Sequence, residues 1–165
     1  MPVLVILKTM ALLGFLAALF FHVAAIVGWH SIIQIPELWL LHVLIFPLFI
    51  GLVKYARNYE KSEMSLSNLL PGIPVWVFVP VFIIFIYVIA NFFFTVGVAG
   101  HGLPKIINGQ FCLVNKGEII SFISENEYRY FFANQIRMFS GVWLVFYSLP
   151  LIYFSLLIRA RNYKI

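Results

Sequence analysis

Residues 73–97 read IPVWVFVPVFIIFIYVIANFFFTVG, a run of 25 residues without a charged side chain. A helix crosses the ~30 Å hydrocarbon core of a bilayer with about 20 mainly apolar residues, so this run is long enough to span a membrane with some tilt. The rest of the chain has a similar character, because 63% of its 165 residues are hydrophobic and only 10% are charged. Soluble domains are about 25% charged. The composition therefore excludes a soluble enzyme and a nucleic-acid-binding domain.

Three further apolar segments are long enough to cross a bilayer, at residues 9–28, 37–55 and 139–158. The second begins with Pro36 and Glu37, which suit the first turn of a helix and the positive end of its dipole. The first also resembles a cleavable signal peptide, but its apolar run is longer than such peptides have, which favours a retained helix. We therefore predict a single integral domain over residues 1–165, an all-α bundle of four transmembrane helices.

Charged residues are distributed unevenly between the two sides of such a bundle. The side with both termini and the 54–72 connection carries seven basic residues against two acidic ones, and the other side carries four of each. Those seven are Lys8, Lys54, Arg57, Lys61, Arg159, Arg161 and Lys164. Because basic residues accumulate on the cytoplasmic side, we predict that both termini are cytoplasmic. Acidic lipid headgroups are sufficient partners for the net charge of +5.

The segment between the third and fourth spans, residues 98–138, is predicted to form a small cap on the extracytoplasmic side. Its stretch GQFCLVNKGEIISFIS (109–124) contains two β-prone runs around Asn115–Gly117, where Asn and Gly tolerate the positive φ of a hairpin turn. Two strands alone are marginally stable in water. We therefore expect this β-hairpin to lie against the outer ends of the helices.

A long helix is predicted to follow the hairpin. Ser124 and Glu127 have the spacing of a capping box, in which each residue satisfies a backbone N–H of the other. No proline or glycine intervenes before Gly141, so the helix is expected to continue into the fourth span. From Glu125 to Ile158 it would measure about 50 Å, and its first turns would belong to the cap. Arg137 falls at the outer interface, where we expect it to pair with a glutamate of the cap and so link cap and bundle.

Two histidines, His22 and His42, are predicted to lie at one depth in the bundle. His22 precedes Gly28 by six residues and His42 follows Glu37 by five, so both lie about 8 Å inside the outer boundary on neighbouring antiparallel helices. Two such imidazoles could ligate a b-type haem or a metal ion. Alternatively, each hydrogen-bonds a polar group of another helix. The sequence leaves both interpretations open.

Other polar groups allow weaker hypotheses. His101 and Cys112 are too few for a zinc site, and a buried, inert Cys112 on a strand is expected. The chain resembles small bacterial inner-membrane proteins in general arrangement, a resemblance that implies no activity. We therefore expect a non-enzymatic inner-membrane protein without cofactor that contacts the bilayer and a protein partner, in an accessory or protective role. The alternatives are a haem b electron carrier and a lipid- or solute-handling protein with polar groups converging at the outer interface, from His22, His42, Asn91, His101 and Arg137.

Overall fold

The computed structural model describes residues 2–33, 35–59, 76, 78–98 and 102–162. Its helices are α1 (Pro2–Ile26), α2 (His30–Ile33), α3 (Leu40–Tyr59), α4 (Val79–Val98) and α5 (Glu125–Asn162), and a 3-10 turn at Pro36–Trp39 leads into α3. Three strands, β1 (Leu103–Ile107), β2 (Gln110–Asn115) and β3 (Glu118–Phe122), form an antiparallel sheet in the order β1-β2-β3.

Four helices within the described ranges are long and apolar enough to cross a membrane, namely α1, α3 with its preceding turn, α4 and α5. This confirms the number of such helices predicted from the sequence, and it fits a multi-pass membrane protein. The described part of the third one begins at Val79, and most of its predicted first turns, at residues 73–75 and 77, lie outside the described residues.

The helix α5 is the axis of the bundle. Half of its most apolar 18-residue window is buried, against 11% for α4. Its large buried side chains include Trp143, Tyr147 and Phe154. The other long helices expose most of their apolar side chains, as Phe82 and Phe93 of α4 illustrate. Exposed apolar surface of this extent is unfavourable in water and is what a lipid environment requires.

Small residues allow α1 to approach α5 closely. Ala11, Gly14 and Ala18 lie at helical spacing on the buried face of α1. A Cβ atom on Gly14 would overlap the ring of Tyr147, and the hydroxyl of Tyr147 donates a hydrogen bond to the Leu41 carbonyl oxygen at 2.6 Å. Gly14 thus provides the space in which Tyr147 joins α1, α3 and α5.

The sheet has one strand more than the sequence analysis predicted. The expected hairpin is present, with Lys116 and Gly117 at positive φ between β2 and β3. Asn108 and Gly109 make a second two-residue turn with positive φ, and it pairs β1 with β2. The Asn-Gly pair is the strongest short-range hairpin indicator, and the prediction overlooked it because Pro104 and the preceding glycines suggested an irregular segment. Pro104 is accommodated because β1 is an edge strand.

Burial along β2 and β3 does not alternate from residue to residue, as it would if only one face of the sheet were covered. Cys112, Leu113 and Val114 are buried consecutively on the central strand β2, while Ile119, Ile120 and Phe122 of β3 are exposed. Both β1 and β2 contact α5. The prediction of a buried Cys112 on a strand is confirmed.

The start of α5 and its continuity agree with the sequence prediction. The Glu127 N–H donates to the Ser124 hydroxyl at 3.2 Å, and the Ser124 N–H donates to the Glu127 carboxylate at 2.8 Å, which is the reciprocal arrangement of a capping box. Arg129 forms an ion pair with Glu125 one turn earlier. From there α5 continues for 38 residues without interruption.

Candidate functional site

A stripe of polar side chains runs along one face of α4. Tyr87, Asn91 and Thr95 are spaced by four residues, so they lie one above the other on the same face of the helix. That face meets α5 and the end of α1, where His22, Ser140 and Arg137 lie. We call these residues, together with Asn134, the polar network.

A directed chain of hydrogen bonds passes through His22. Its Nε2 lies 2.7 Å from the Tyr87 hydroxyl and its Nδ1 lies 2.9 Å from the Ser140 hydroxyl. The hydroxyl of Ser140 donates to the Ile136 carbonyl oxygen at 2.6 Å. Because a hydroxyl has only one hydrogen to donate, Ser140 accepts from Nδ1–H, and in the neutral imidazole Nε2 then accepts from the Tyr87 hydroxyl. His22 joins α1, α4 and α5 through these two hydrogen bonds.

Asn91 and Arg137 form the second element of the network. The Asn91 amide donates to the Arg137 carbonyl oxygen at 3.1 Å, and its own oxygen accepts from Arg137 Nε at 2.7 Å. The guanidinium carbon lies 4.4 Å from the ring centre of Phe94, which is within the range of a cation–π interaction. Both polar ends of Asn91 are therefore satisfied by a single residue of α5.

Thr95 and Gly141 complete the contact between α4 and α5. The Thr95 hydroxyl donates to the Asn134 carbonyl oxygen at 3.4 Å. The side-chain amide of Asn134 donates to the Tyr130 carbonyl oxygen one turn earlier on α5. A Cβ atom on Gly141 would lie 3.4 Å from Asn91 and 3.5 Å from His22. Gly141 therefore marks the point at which the side chains of α1 and α4 converge on α5.

The two histidines that the haem hypothesis pairs have different hydrogen-bond partners in the structure. His22 is buried and has both ring nitrogens in hydrogen bonds to Tyr87 and Ser140. His42 is exposed on α3, where its Nδ1 accepts a hydrogen bond from the Trp143 indole at 3.2 Å. A haem or metal bond from His22 would have to replace one of its hydrogen bonds. Within the described ranges no three His, Cys, Asp or Glu side chains are grouped to hold a metal ion, and two-histidine ligation stays a prediction.

Ser124, Glu127 and Arg137, which were predicted to link cap and bundle, do not act together in the structure. Ser124 and Glu127 fix the first turn of α5 through the capping box. Arg137 does not pair with a cap glutamate. It contacts Asn91 and Phe94 of α4 instead, because its position on α5 faces α4 and the nearest carboxylates are ten or more residues away along the helix. His101, which the sequence analysis grouped with the polar residues at the outer interface, lies outside the described residues.

The sequence analysis named His22, Asn91 and Arg137 but did not predict their hydrogen bonds to one another's helices. Ser140 and Asn134 were overlooked, although both are buried polar residues of α5. The four-residue spacing of Tyr87, Asn91 and Thr95 in an otherwise apolar helix was the available indicator. The matching positions on α5 have no such regularity, since their register depends on how the two helices cross.

A second candidate site is the edge strand β3, which carries three exposed apolar side chains. β3 is an edge strand, and β1 and β2, not β3, provide the main sheet contacts with α5. Ile119, Ile120 and Phe122 are exposed there, with Phe122 64% exposed. We call these three side chains the β3 patch. Large apolar side chains grouped on a small polar domain are typical of contact surfaces.

In comparisons with known proteins, no family model, no curated protein and no solved structure matches this chain.

Proposed function

We propose that this is a multi-pass protein of a bacterial inner membrane that acts, without catalysis, by contact between its extracytoplasmic cap and another protein. The observation that carries the proposal is the β3 patch, three exposed apolar side chains on a described part of the chain that lies outside the four candidate spans. The cap comprises the three strands and the first turns of α5.

The orientation is supported by charge. Lys54, Arg57, Arg159 and Arg161 flank the ends of α3 and α5 that lie opposite the sheet. The positive-inside tendency places such residues in the cytoplasm. The sheet, with Lys105, Lys116 and Glu118 balanced in charge by the start of α5, is then on the outer side.

The contact is made by side chains and not by strand addition. The β2–β3 pairing has an irregularity at which Val114 pairs with Ile119 and Leu113 with Ser121, so that Ile120 is an extra residue on β3. A bulge of this kind disturbs the edge and discourages pairing with another strand. A partner with an apolar surface of its own can bury Ile119, Ile120 and Phe122, which in a folded interface supply the apolar core of the contact.

The polar network supports this proposal because its hydrogen bonds join α1 and α4 to α5, the helix that contacts the sheet. His22, Asn91 and Ser140 are buried and hydrogen-bonded within the protein, so their geometry serves to hold α1 and α4 on α5. Because α5 carries the sheet on its outer end, the network sets where the β3 patch is presented.

The proposal is tested by partner capture from native membranes. Full-length protein is crosslinked in cells and purified in mild detergent, with Phe122→Ser as the variant and Ile106→Ser as the matched control. Ile106 is a comparably exposed residue on the opposite edge strand, β1. We expect Phe122→Ser to reduce the crosslinked partner several-fold and Ile106→Ser to leave it unchanged. Equal capture by both variants, or no partner above a mock purification, contradicts the proposed contact.

The orientation is tested separately by cysteine labelling. Cys112 is the single cysteine of the chain, so Cys112→Ser provides a background for single reporters. Lys116→Cys should react with an impermeant maleimide added to intact cells, and Asn162→Cys should react only after the cells are opened. The reverse pattern would place the sheet in the cytoplasm and refute the orientation.

A further inference from the structure

Arg137 carries a positive charge that no described residue neutralises. Its Nε donates to the Asn91 side-chain oxygen, and its guanidinium carbon lies 4.4 Å from the ring centre of Phe94. Both of these neighbours are uncharged, and among the described residues no carboxylate lies within 4 Å of the guanidinium nitrogens. The terminal nitrogens, Nη1 and Nη2, have no hydrogen-bond partner in the same part of the chain, and neither is buried. Their N–H groups are therefore accessible to a ligand.

The depth of Arg137 follows from the length of α5. Residues 138–158 of this helix contain no charged side chain, and Arg159 comes directly after them. At ~1.5 Å per residue this stretch is about 32 Å long, close to the ~30 Å thickness of a hydrocarbon core. If α5 crosses a bilayer, Arg137 and Arg159 therefore lie at its opposite boundaries. The contact of Trp39 with Phe139 agrees with this depth, because tryptophan is enriched at membrane boundaries.

Arg129 shows what Arg137 lacks. It lies about two turns earlier on α5, is exposed, and forms an ion pair with Glu125. Arg137 is only partly exposed and lies against the ring of Phe94, so water screens its charge less well. A charge in such surroundings is stabilised by an opposite charge close to it. The described residues do not supply that charge, which points to an anion from outside the protein.

We propose that Arg137 binds the phosphodiester group of a phospholipid at the boundary of the bilayer, with Nη1 and Nη2 donating to its non-bridging oxygens. Guanidinium groups form paired hydrogen bonds of this kind with phosphates, and a phosphodiester carries one negative charge. The hydrogen bond to Asn91 and the contact with Phe94 hold the guanidinium in place, so little side-chain freedom is lost on binding. The inference rests on the proposed membrane placement but not on the proposed protein partner.

The test counts the lipids retained by the purified full-length protein in native mass spectrometry. Protein stripped of co-purified lipid in detergent is titrated with a phosphatidylglycerol and, separately, with a diacylglycerol that has the same acyl chains but no phosphate. We expect the phosphatidylglycerol to be retained and the diacylglycerol to be lost. Basic residues near the other end of α5 also attract anionic lipid. The measured quantity is therefore the difference between variants that leave those residues unchanged.

The first variant, Arg137→Gln, removes the proposed ligand of the phosphate. It should retain one phosphatidylglycerol fewer than the original protein at the same lipid concentration, because loss of hydrogen bonds to a charged group raises the Kd about 10-fold or more. Arg129→Gln is the matched control. It removes the same charge from the same helix, but at a position that Glu125 already neutralises, and it should retain as many lipids as the original protein.

The second variant, Phe94→Glu, tests the site with Arg137 in place. A carboxylate at position 94 would lie against the guanidinium, neutralise it from within the protein and displace the lipid. Phe93→Glu is the matched control, because it adds the same charge to α4 at a neighbouring position that is 69% exposed and turned by about 100° around the helix. We expect this control to retain the lipid that Phe94→Glu loses.

Several results would overturn the inference. Equal retention in Arg137→Gln and Arg129→Gln, or in Phe94→Glu and Phe93→Glu, removes Arg137 from the site. Equal retention of diacylglycerol removes the phosphate, and displacement of the lipid by millimolar inorganic phosphate assigns the site to the free ion instead. Thermal unfolding in the same detergent verifies that each variant is folded, and the two variants act by different means, so failure of one to fold leaves the other decisive. Loss of partner capture by the cap would leave these lipid counts unaffected.

Discussion

The two sides of α5 hold their neighbours by different chemistry. Toward α1 the contact is made by small residues, with Gly14 so close that Tyr147 occupies the space of a missing side chain. Toward α4 the contact is made by polar side chains, with Asn91 and Thr95 hydrogen-bonded to the backbone of α5. We call these contacts the α1 seam and the α4 seam. Both are buried, yet only the second has an extended series of hydrogen bonds between helices.

The difference follows from what can drive helix association in lipid. Lipid tails are as apolar as the helices, so burial alone provides little gain, and close packing or hydrogen bonding must supply it. Small residues on α1 give extensive packing contact with α5. α4 is the least buried of the four long helices, and its polar stripe holds it by a few directed hydrogen bonds. We therefore expect the free energy of unfolding to fall when side-chain volume is added at the α1 seam, and to fall when a single polar group is removed at the α4 seam.

The largest effect is expected from Gly14→Val, which tests the α1 seam. The added side chain overlaps the Tyr147 ring, and forcing extra volume into a packed interior costs about 3 kcal/mol. The free energy of unfolding, measured by denaturing-detergent titration in mixed micelles, should fall by this amount. Gly97→Ala is the control, because a Cβ atom there meets nothing within 4 Å. An equal loss in both variants would mean that helix geometry, and not packing, is being measured.

An intermediate effect is expected from Asn91→Leu, which tests the α4 seam. The substitution keeps the volume roughly constant but removes both hydrogen bonds to Arg137, and the free energy of unfolding should fall by about 1–2 kcal/mol. Phe93→Leu, at an exposed position of α4, is the control. In a double-mutant cycle with Arg137→Met the two losses should be non-additive. Strict additivity would show that the two side chains act independently.

A smaller and local effect is expected from Ser124→Ala, which lies outside both seams. Loss of the cap costs about 1 kcal/mol, so amide hydrogen exchange in the first turn of α5 should accelerate about five-fold. Hydrogen bonds from the Ser124 N–H and hydroxyl lower the pKa of Glu127. Because the folded-state pKa is lowered, the contribution is complete above the ordinary glutamate pKa of about 4.3 and is lost as pH falls through the lower value.

The control for this prediction is Ser155→Ala, whose hydroxyl bonds within α5 at the other end of the helix and should not affect exchange near residue 125. Glu127→Gln should remove the acid-dependent component of the acceleration while retaining part of the cap. Exchange that spreads through the whole of α5 after Ser124→Ala would mean that the cap and the bundle unfold together, and the comparison between seams would then have to include the sheet.

The sequence predicted the parts of the fold that depend on local patterns. The four apolar helices, the Ser124–Glu127 box and the hairpin turn around Asn115–Gly117 each rest on residues near one another in the chain. The structure has all of them, with Lys116 instead of Asn115 at positive φ beside Gly117. β1 was overlooked because Pro104 outweighed the Asn108–Gly109 turn. The prediction therefore had two strands where the structure has three.

The candidate site was less predictable because it depends on helix rotation. Periodicity shows that Tyr87 and Asn91 share a face of α4, but not which helix that face meets. Equal depth of His22 and His42 does not fix whether their side chains turn toward each other, and the structure gives them different partners. Arg137 was predicted to form an ion pair with a carboxylate because opposite charges attract. In the structure its Nε instead donates a hydrogen bond to the side-chain oxygen of Asn91.

The unbroken course of α5 has a mechanical consequence. A single stiff rod begins under the sheet, passes the polar network and ends near Arg159 and Arg161 on the far side. At ~1.5 Å per residue it is almost 60 Å long, with Pro150 as its one internal residue lacking a backbone N–H to donate. A force applied at one end of α5 would therefore tilt the opposite end as a lever does.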